Sequence, residues 1–143
     1  MFEDAALAAA IDRAFATLDA AGGTLEALGE VDRTLVIVTS AQGVIDNGGL
    51  RCFFENDWPG MPPYELFAAA YRRAGLGSVA DAISSAAGLY PFPEPHRHER
   101  LRRAFHAEAE ALGRAPFEAF DRVACGNADV WPALARLVRS GAP

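Results

Sequence analysis

The sequence predicts an all-α fold, a compact single-domain bundle of about six or seven helices. Three observations carry this. Half of the residues are hydrophobic and much of that share is alanine, which favours helix above every other residue while adding little buried area. Apolar residues recur at spacings of three and four along most of the chain. Glycine or proline marks almost every interval between those stretches. At 143 residues a single core is expected, and no repeat, low-complexity tract or linker divides residues 1–143.

The first helix follows from Leu7, Ile11, Phe15 and Leu18, an apolar stripe with Asp12, Arg13 and Asp19 off it, stopped by Gly22 and Gly23. A short turn or helical piece covers Thr24 to Gly29. The run Thr34 to Thr39 is β-branched and reads by propensity as a strand, yet Leu35, Val38, Ala41 and Ile45 keep helical spacing as far as Asp46. Local pattern leaves both open. Asn47-Gly48-Gly49 then interrupts the chain, and the aromatic segment Leu50 to Asn56 and the loop Asp57 to Pro62 follow.

Pro63 is expected to open a helix through Tyr64, Phe67 and Tyr71 to Gly75. Ser78 is placed to cap the next, whose Val79, Ile83 and Ala87 share a face; Pro91 and Pro93 end it. Residues Pro95 to Leu112 read as an exposed amphipathic helix with Leu101, Phe105 and Leu112 inward. Pro116 to Cys125 reads as a short helix through Phe117, Phe120 and Val123. Asp129 is expected to cap the last helix, which turns Trp131, Leu134 and Leu137 or Val138 to the core.

The net charge of −6 is unevenly spread. Residues 1–32 hold seven acids (Glu3, Asp4, Asp12, Asp19, Glu26, Glu30 and Asp32) against Arg13 alone, and the remaining segments nearly cancel. A nucleic acid needs a basic footprint, so direct binding of one by this end is excluded. The acidic first residues do not suit a secretory signal and no apolar run is long enough for a membrane span, so a cytoplasmic protein is expected. Cys52 and Cys125 are too few and too far apart for a disulfide framework or zinc ribbon, and are read as small apolar residues.

The string Asn47-Gly48-Gly49-Leu50-Arg51-Cys52-Phe53-Phe54-Glu55-Asn56, followed by Gly60, resembles the signature of a bacterial family of unknown function that includes the neisserial DNA mimic protein. The resemblance covers about residues 33–140; Gly75, Ala80, Ile83 and Ala86-Ala87 fit a second small-residue stretch, and Phe117 to Val138 a closing pair of helices. It implies that residues 34–46 are helical and that Asn47, Gly48, Gly49, Phe53, Phe54, Asn56 and Gly60 shape the fold. Leu50 stands where the family has an aromatic, Cys52 where a polar residue is common, and Asp57-Trp58-Pro59 is peculiar to this chain.

The Asn-Gly-Gly stretch reads as a chain-reversal device in which Asn47 caps freed backbone groups; the alternative is an anion nest at the Gly48-Gly49 amides. No phosphate loop, dinucleotide fingerprint, nucleophile elbow or zincin helix is present, so no catalytic, cofactor or metal set is expected. The leading functional reading is a non-enzymatic protein-interaction domain. The first alternative is an acidic DNA mimic that binds a basic DNA-binding protein through Asp4, Asp12, Asp19, Glu26, Glu30 and Asp32. The second is a small metal-dependent or hydrolase-like enzyme using His96, His98 or His106, with His106 and Glu110 one helical turn apart. The arginine patch at 97–103 could also meet the acidic end of a second copy in a homodimer. The Trp58-Pro59-Gly60 loop is either a binding edge or a lid on the core.

Overall fold

The computed structural model describes residues 4–141; Glu3 lies outside them. Within that span the chain forms α1 (Ala5–Ala20), α2 (Glu30–Glu55), α3 (Tyr64–Arg73), α4 (Gly77–Ala87), α5 (Glu99–Ala111), α6 (Glu118–Ala124) and α7 (Val130–Gly141), with 3₁₀ turns at Leu25–Ala27 and Pro95–Arg97. There is no strand among the described residues.

The long helix α2 is the hub, since it packs against each of the other six. Its residues Thr34 to Val38 are buried one after another, so no polar face interrupts them. That explains their strand-like look: a helix enclosed on all sides loses the 3.6-residue alternation that identifies an amphipathic one. The helical reading implied by the family resemblance is the one observed. α1 lays Leu7, Ala10, Ile11 and Ala14 against α2. Asp4 caps it by accepting from the Leu7 amide at 3.0 Å, and it ends where the Gly23 amide turns back to the Leu18 carbonyl.

Helices α3 and α4 form a hairpin against α2. Pro63 is the residue before α3 rather than its first, and α4 starts at Gly77 with no side-chain cap, so Ser78 lies inside its first turn and does not cap it. The core is rich in rings. Phe53 and Phe54, from the last turn of α2, lie edge-to-face with Phe67 at 4.9 Å and Tyr64 at 4.7 Å, and Phe54 also meets Phe117 at 5.2 Å. Such contacts add to area burial.

The second half departs most from expectation. The helix expected from Pro95 begins at Glu99, because Glu94 adopts a left-handed conformation (φ 49°) and Pro95–Arg97 winds as a 3₁₀ turn. Leu101 and Leu112, expected inward, are 46% and 54% exposed. The buried side chains of α5 are Arg102 and His106. On a 100° wheel these two sit about 100° to 140° round from Leu101, with Phe105 between. Aromatic packing sets the rotation: Phe105 and His106 stand against Tyr90 at 5.0 and 5.6 Å, and His106 against Phe117 at 5.4 Å. α6 buries Ala124 and, at its N-cap, Phe117, while Val123 is exposed. The turn before α7 is fastened by Asn127, whose side-chain oxygen accepts from the Asp129 amide at 2.9 Å; Asp129 stands directly before the helix, as expected, and its carbonyl accepts from the Ala133 amide at 3.0 Å. α7 buries Val130, Ala133, Leu134 and Ala135, with Trp131, Leu137 and Val138 partly covered.

His106 is 2% exposed, its Nε2 2.7 Å from the Tyr90 hydroxyl. Burial holds its imidazole below the ordinary value; Glu55 and Glu110 oppose this, while Arg51 and Arg102 add to it. The native state therefore binds fewer protons here than the unfolded chain. Its stability contribution is full above about pH 6.5 and is lost as pH falls through the lowered native value. Urea unfolding across that range should show the loss, and His106→Gln should reduce it, leaving the slope that His96, which burial also lowers, contributes. An identical slope in the unaltered chain and in His106→Gln would remove the assignment.

Candidate functional site

The Asn-Gly-Gly stretch lies within α2 and bends it. Gly49 has φ 76° and ψ −174°, a region essentially closed to any residue with a Cβ. Its neighbour in space is Asp121 of α6: a Cβ on Gly49 would stand 3.1 Å from Asp121 Oδ1 and 3.2 Å from Oδ2. That carboxylate accepts the Leu50 amide at 2.8 Å, so it caps the second segment of α2 where the helical ladder is interrupted. The bend also brings residue 52 towards residue 48, and a Cβ on Gly48 would collide with the Cys52 side chain. The two glycines thus serve separate purposes, one for backbone conformation and one for clearance.

Asn47 does not make the expected cap. It is exposed and takes no part in the junction; the acceptor comes instead from Asp121, 71 positions after Leu50. Cys52, read as a small apolar residue, is exposed, while Cys125 is half-buried with its thiol 3.5 Å from the Ile45 carbonyl. Burial, with Asp121 and Asp46 close by, pushes the Cys125 thiol up, so it stays protonated.

Beside the bend lies a buried polar network. Gln42 Nε2 donates to the Ala124 carbonyl at 2.8 Å and to Asp46 Oδ1 at 2.7 Å, and its Oε1 accepts from the Tyr71 hydroxyl at 2.8 Å. Asp46 Oδ1 also accepts the Gly126 amide at 2.7 Å. Burial, with Asp46 adding to it, raises the Tyr71 hydroxyl far above its ordinary value. α2 therefore holds α6 at its middle, through Asp121, and at its C-terminal end, through Ala124 and Gly126.

The other motif residues belong to the core and its edge. Asn56 follows α2, and Trp58-Pro59-Gly60-Met61 is a turn closed by the Met61 amide on the Trp58 carbonyl at 3.0 Å, with Gly60 at φ 77° where this turn type needs a positive value. Trp58 donates its indole N–H to the Phe53 carbonyl at 2.9 Å and packs on Phe67 at 4.9 Å. The loop is a lid on the aromatic core.

The histidines do not converge. His96 lies edge-on to Tyr64, His98 to Phe92, and His106 faces Tyr90, while Glu110, its expected helical partner, is bound to Arg51 at 2.9 Å. No three His, Cys, Asp or Glu side chains gather as a metal site among the described residues.

The six acids named from the sequence divide into two sets. Asp4 is engaged as the α1 cap, with Arg139 3.8 Å away, and Glu30 lies 3.8 Å from Arg73. Asp12, Asp19, Glu26 and Asp32 have neither an ion pair nor a side-chain hydrogen bond among the described residues. Most acids elsewhere are ion-paired: Glu55 and Glu110 share Arg51, Glu65 and Asp81 share Arg72, and Glu94 meets Arg97, Glu99 Arg103 and Glu118 Arg122. Asp57, Glu108 and Asp129 are likewise without an ion pair or side-chain hydrogen bond among the described residues, so four of the seven such carboxylates lie between the start of α1 and the first turn of α2.

Placing a Cβ at Gly49 should cost roughly 1–3 kcal/mol in conformational strain alone, and Asp121→Ala about the same by orphaning the Leu50 amide. Because the new methyl of Gly49→Ala would press on that carboxylate, urea unfolding of both single variants and the double should give a combined loss smaller than the sum of the two. Strict additivity would show that the two residues are not coupled.

Residues 26–140 match the family model of the DMP19-like protein. No curated protein and no solved structure matches the chain. No helix among the described residues is long and apolar enough to cross a membrane. With four-fifths of its length matched and the Asn-Gly-Gly bend at the centre of the fold, the chain belongs to the DMP19-like protein family.

Proposed function

We propose that this protein is a non-enzymatic protein-binding domain that works by DNA mimicry, offering its N-terminal acidic face to the DNA-binding surface of a basic protein. The observation that carries the reading is the set of free carboxylates at Asp12, Asp19, Glu26 and Asp32, on a chain whose other acids are mostly ion-paired. A partner that normally grips phosphates needs acceptors not already neutralised by neighbouring arginines. Asp12 and Asp19 share a face of α1 about 10.5 Å apart along its axis, close to three steps of the ~3.4 Å rise per phosphate of one DNA strand. Arg13 projects about 100° away from them. Membership of the DMP19-like family supports the same reading.

The test is capture from native lysate on immobilised full-length protein at low and high salt, followed by competition with duplex DNA. Captured basic DNA-binding proteins should be released by salt and displaced by DNA. The variant Asp12→Asn/Asp19→Asn/Glu26→Gln/Asp32→Asn should stay folded, since these side chains make no ion pair or side-chain hydrogen bond among the described residues and only Asp32, in the first turn of α2, favours its helix dipole, yet lose most of the binding. Binding insensitive to salt, or undiminished in that variant, would overturn the reading.

A further inference from the structure

We propose that the outer face of α5 is a self-association surface through which two copies of this chain pair, their α5 helices antiparallel about a two-fold axis. The surface shares no residue with the acidic face and stands independently of the mimicry reading.

α5 places its side chains in the reverse of the usual order. It buries Arg102 and His106 and leaves Leu101 46% and Leu112 54% exposed. A lone exposed leucine is ordinary, but these two belong to one stripe. On a 100° wheel Ala104, Glu108, Ala111 and Leu112 all fall within about 80° of Leu101, and every one of them is exposed. The helix packs chiefly on α2 and the Pro95–Arg97 turn, with Phe105 and His106 against Tyr90. Its outer side is therefore a leucine and alanine surface that nothing among the described residues covers.

The charges along α5 decide what fits there. Arg100 and Arg103 make its first turns basic, and Glu108 and Glu110 make its last turn acidic. Glu99 holds Arg103, and Arg51 holds Glu110. Arg100 and Glu108 have neither an ion pair nor a side-chain hydrogen bond among the described residues, and they stand about 12 Å apart along the axis. A second α5 laid antiparallel supplies each with its opposite, and the two-fold axis makes the contact twice. A parallel pair would instead set arginine against arginine. With the helices crossing where Ala104 of one copy faces Ala107 of the other, Leu101 lies about 3 Å along the axis from Leu112 of the second copy. Arg100 then lies about 4.5 Å along it from the second copy's Glu108, within the reach of the side chains. Alanine at the crossing lets the two backbones approach to about 8 Å. Thirteen residues of helix offer less than the roughly 20–30 residues a side of a standard interface, so the association is weak, with a dissociation constant on the order of 100 μM.

The experiment is sedimentation velocity of the full chain from about 5 μM to about 1 mM, at low and high salt. Monomer should give way to dimer across that range, and less completely at high salt. Leu101→Ser/Leu112→Ser alters only exposed side chains; it should stay folded and remain monomeric throughout. Arg100→Glu and Glu108→Arg should each weaken association about tenfold by bringing like charges together. The combined Arg100→Glu/Glu108→Arg should restore it, because the exchange rebuilds both pairs with their signs reversed. A monomer at every concentration overturns the proposal and leaves the leucine face to a different protein. So does a dimer that survives the leucine change, or a charge exchange that fails to restore pairing. A dimer lost in Asp12→Asn/Asp19→Asn/Glu26→Gln/Asp32→Asn but kept in the leucine variant overturns it in favour of pairing through the acidic face.

Discussion

Straight, α2 would run about 39 Å, at 1.5 Å for each of its 26 residues. Most of its far end would then project from the bundle. The bend at Gly49 keeps both segments on one core, so that Ile45 before it and Leu50, Phe53 and Phe54 after it are all fully enclosed. The interrupted ladder leaves the Leu50 amide without a helical acceptor, and the Asp121 carboxylate supplies one. The rest of the arrangement depends on that pairing. The angle of the bend decides where Phe53 and Phe54 point, and these rings meet Tyr64, Phe67, Tyr90 and Phe117.

The same contact explains the place of α6, whose seven residues are too few to hold a helix by themselves. It is held by Asp121 at the bend and by Gln42 and Asp46 at its far end. A buried network with its hydrogen bonds met fixes register more sharply than an apolar patch of the same area. Gln42 can reach Ala124 and Tyr71 together in one arrangement of α2, α3 and α6.

Much of this was legible in the sequence, for physical reasons that differ from place to place. α1 and α3 are amphipathic, and their apolar spacing located them well. The Thr34 to Val38 stretch was ambiguous because its burial is complete and it shows no polar face; only the family resemblance made it helical. α5 was found but its inward side was misread. Leu101 and Leu112 follow the usual hydrophobic rule, whereas the structure buries Arg102 and His106 among aromatic rings. The glycines of the bend were visible, but their partner was not, since nothing local ties Gly49 to an aspartate 72 residues later, and the cap was wrongly credited to Asn47. Of the acids, the sequence could show where they gather and could not show which are neutralised.

The Leu50–Asp121 bond spans 71 positions of the chain. During synthesis, α2 is complete long before residue 121 has been made. Until then the Leu50 amide lacks its native acceptor, and the lower half of the helix has nothing to fix its angle. Contacts this far apart in sequence form late and slow folding. The aromatic cluster must therefore wait for the last third of the protein before it can close, and a nascent chain halted before α6 would carry an open core for chaperones to shield.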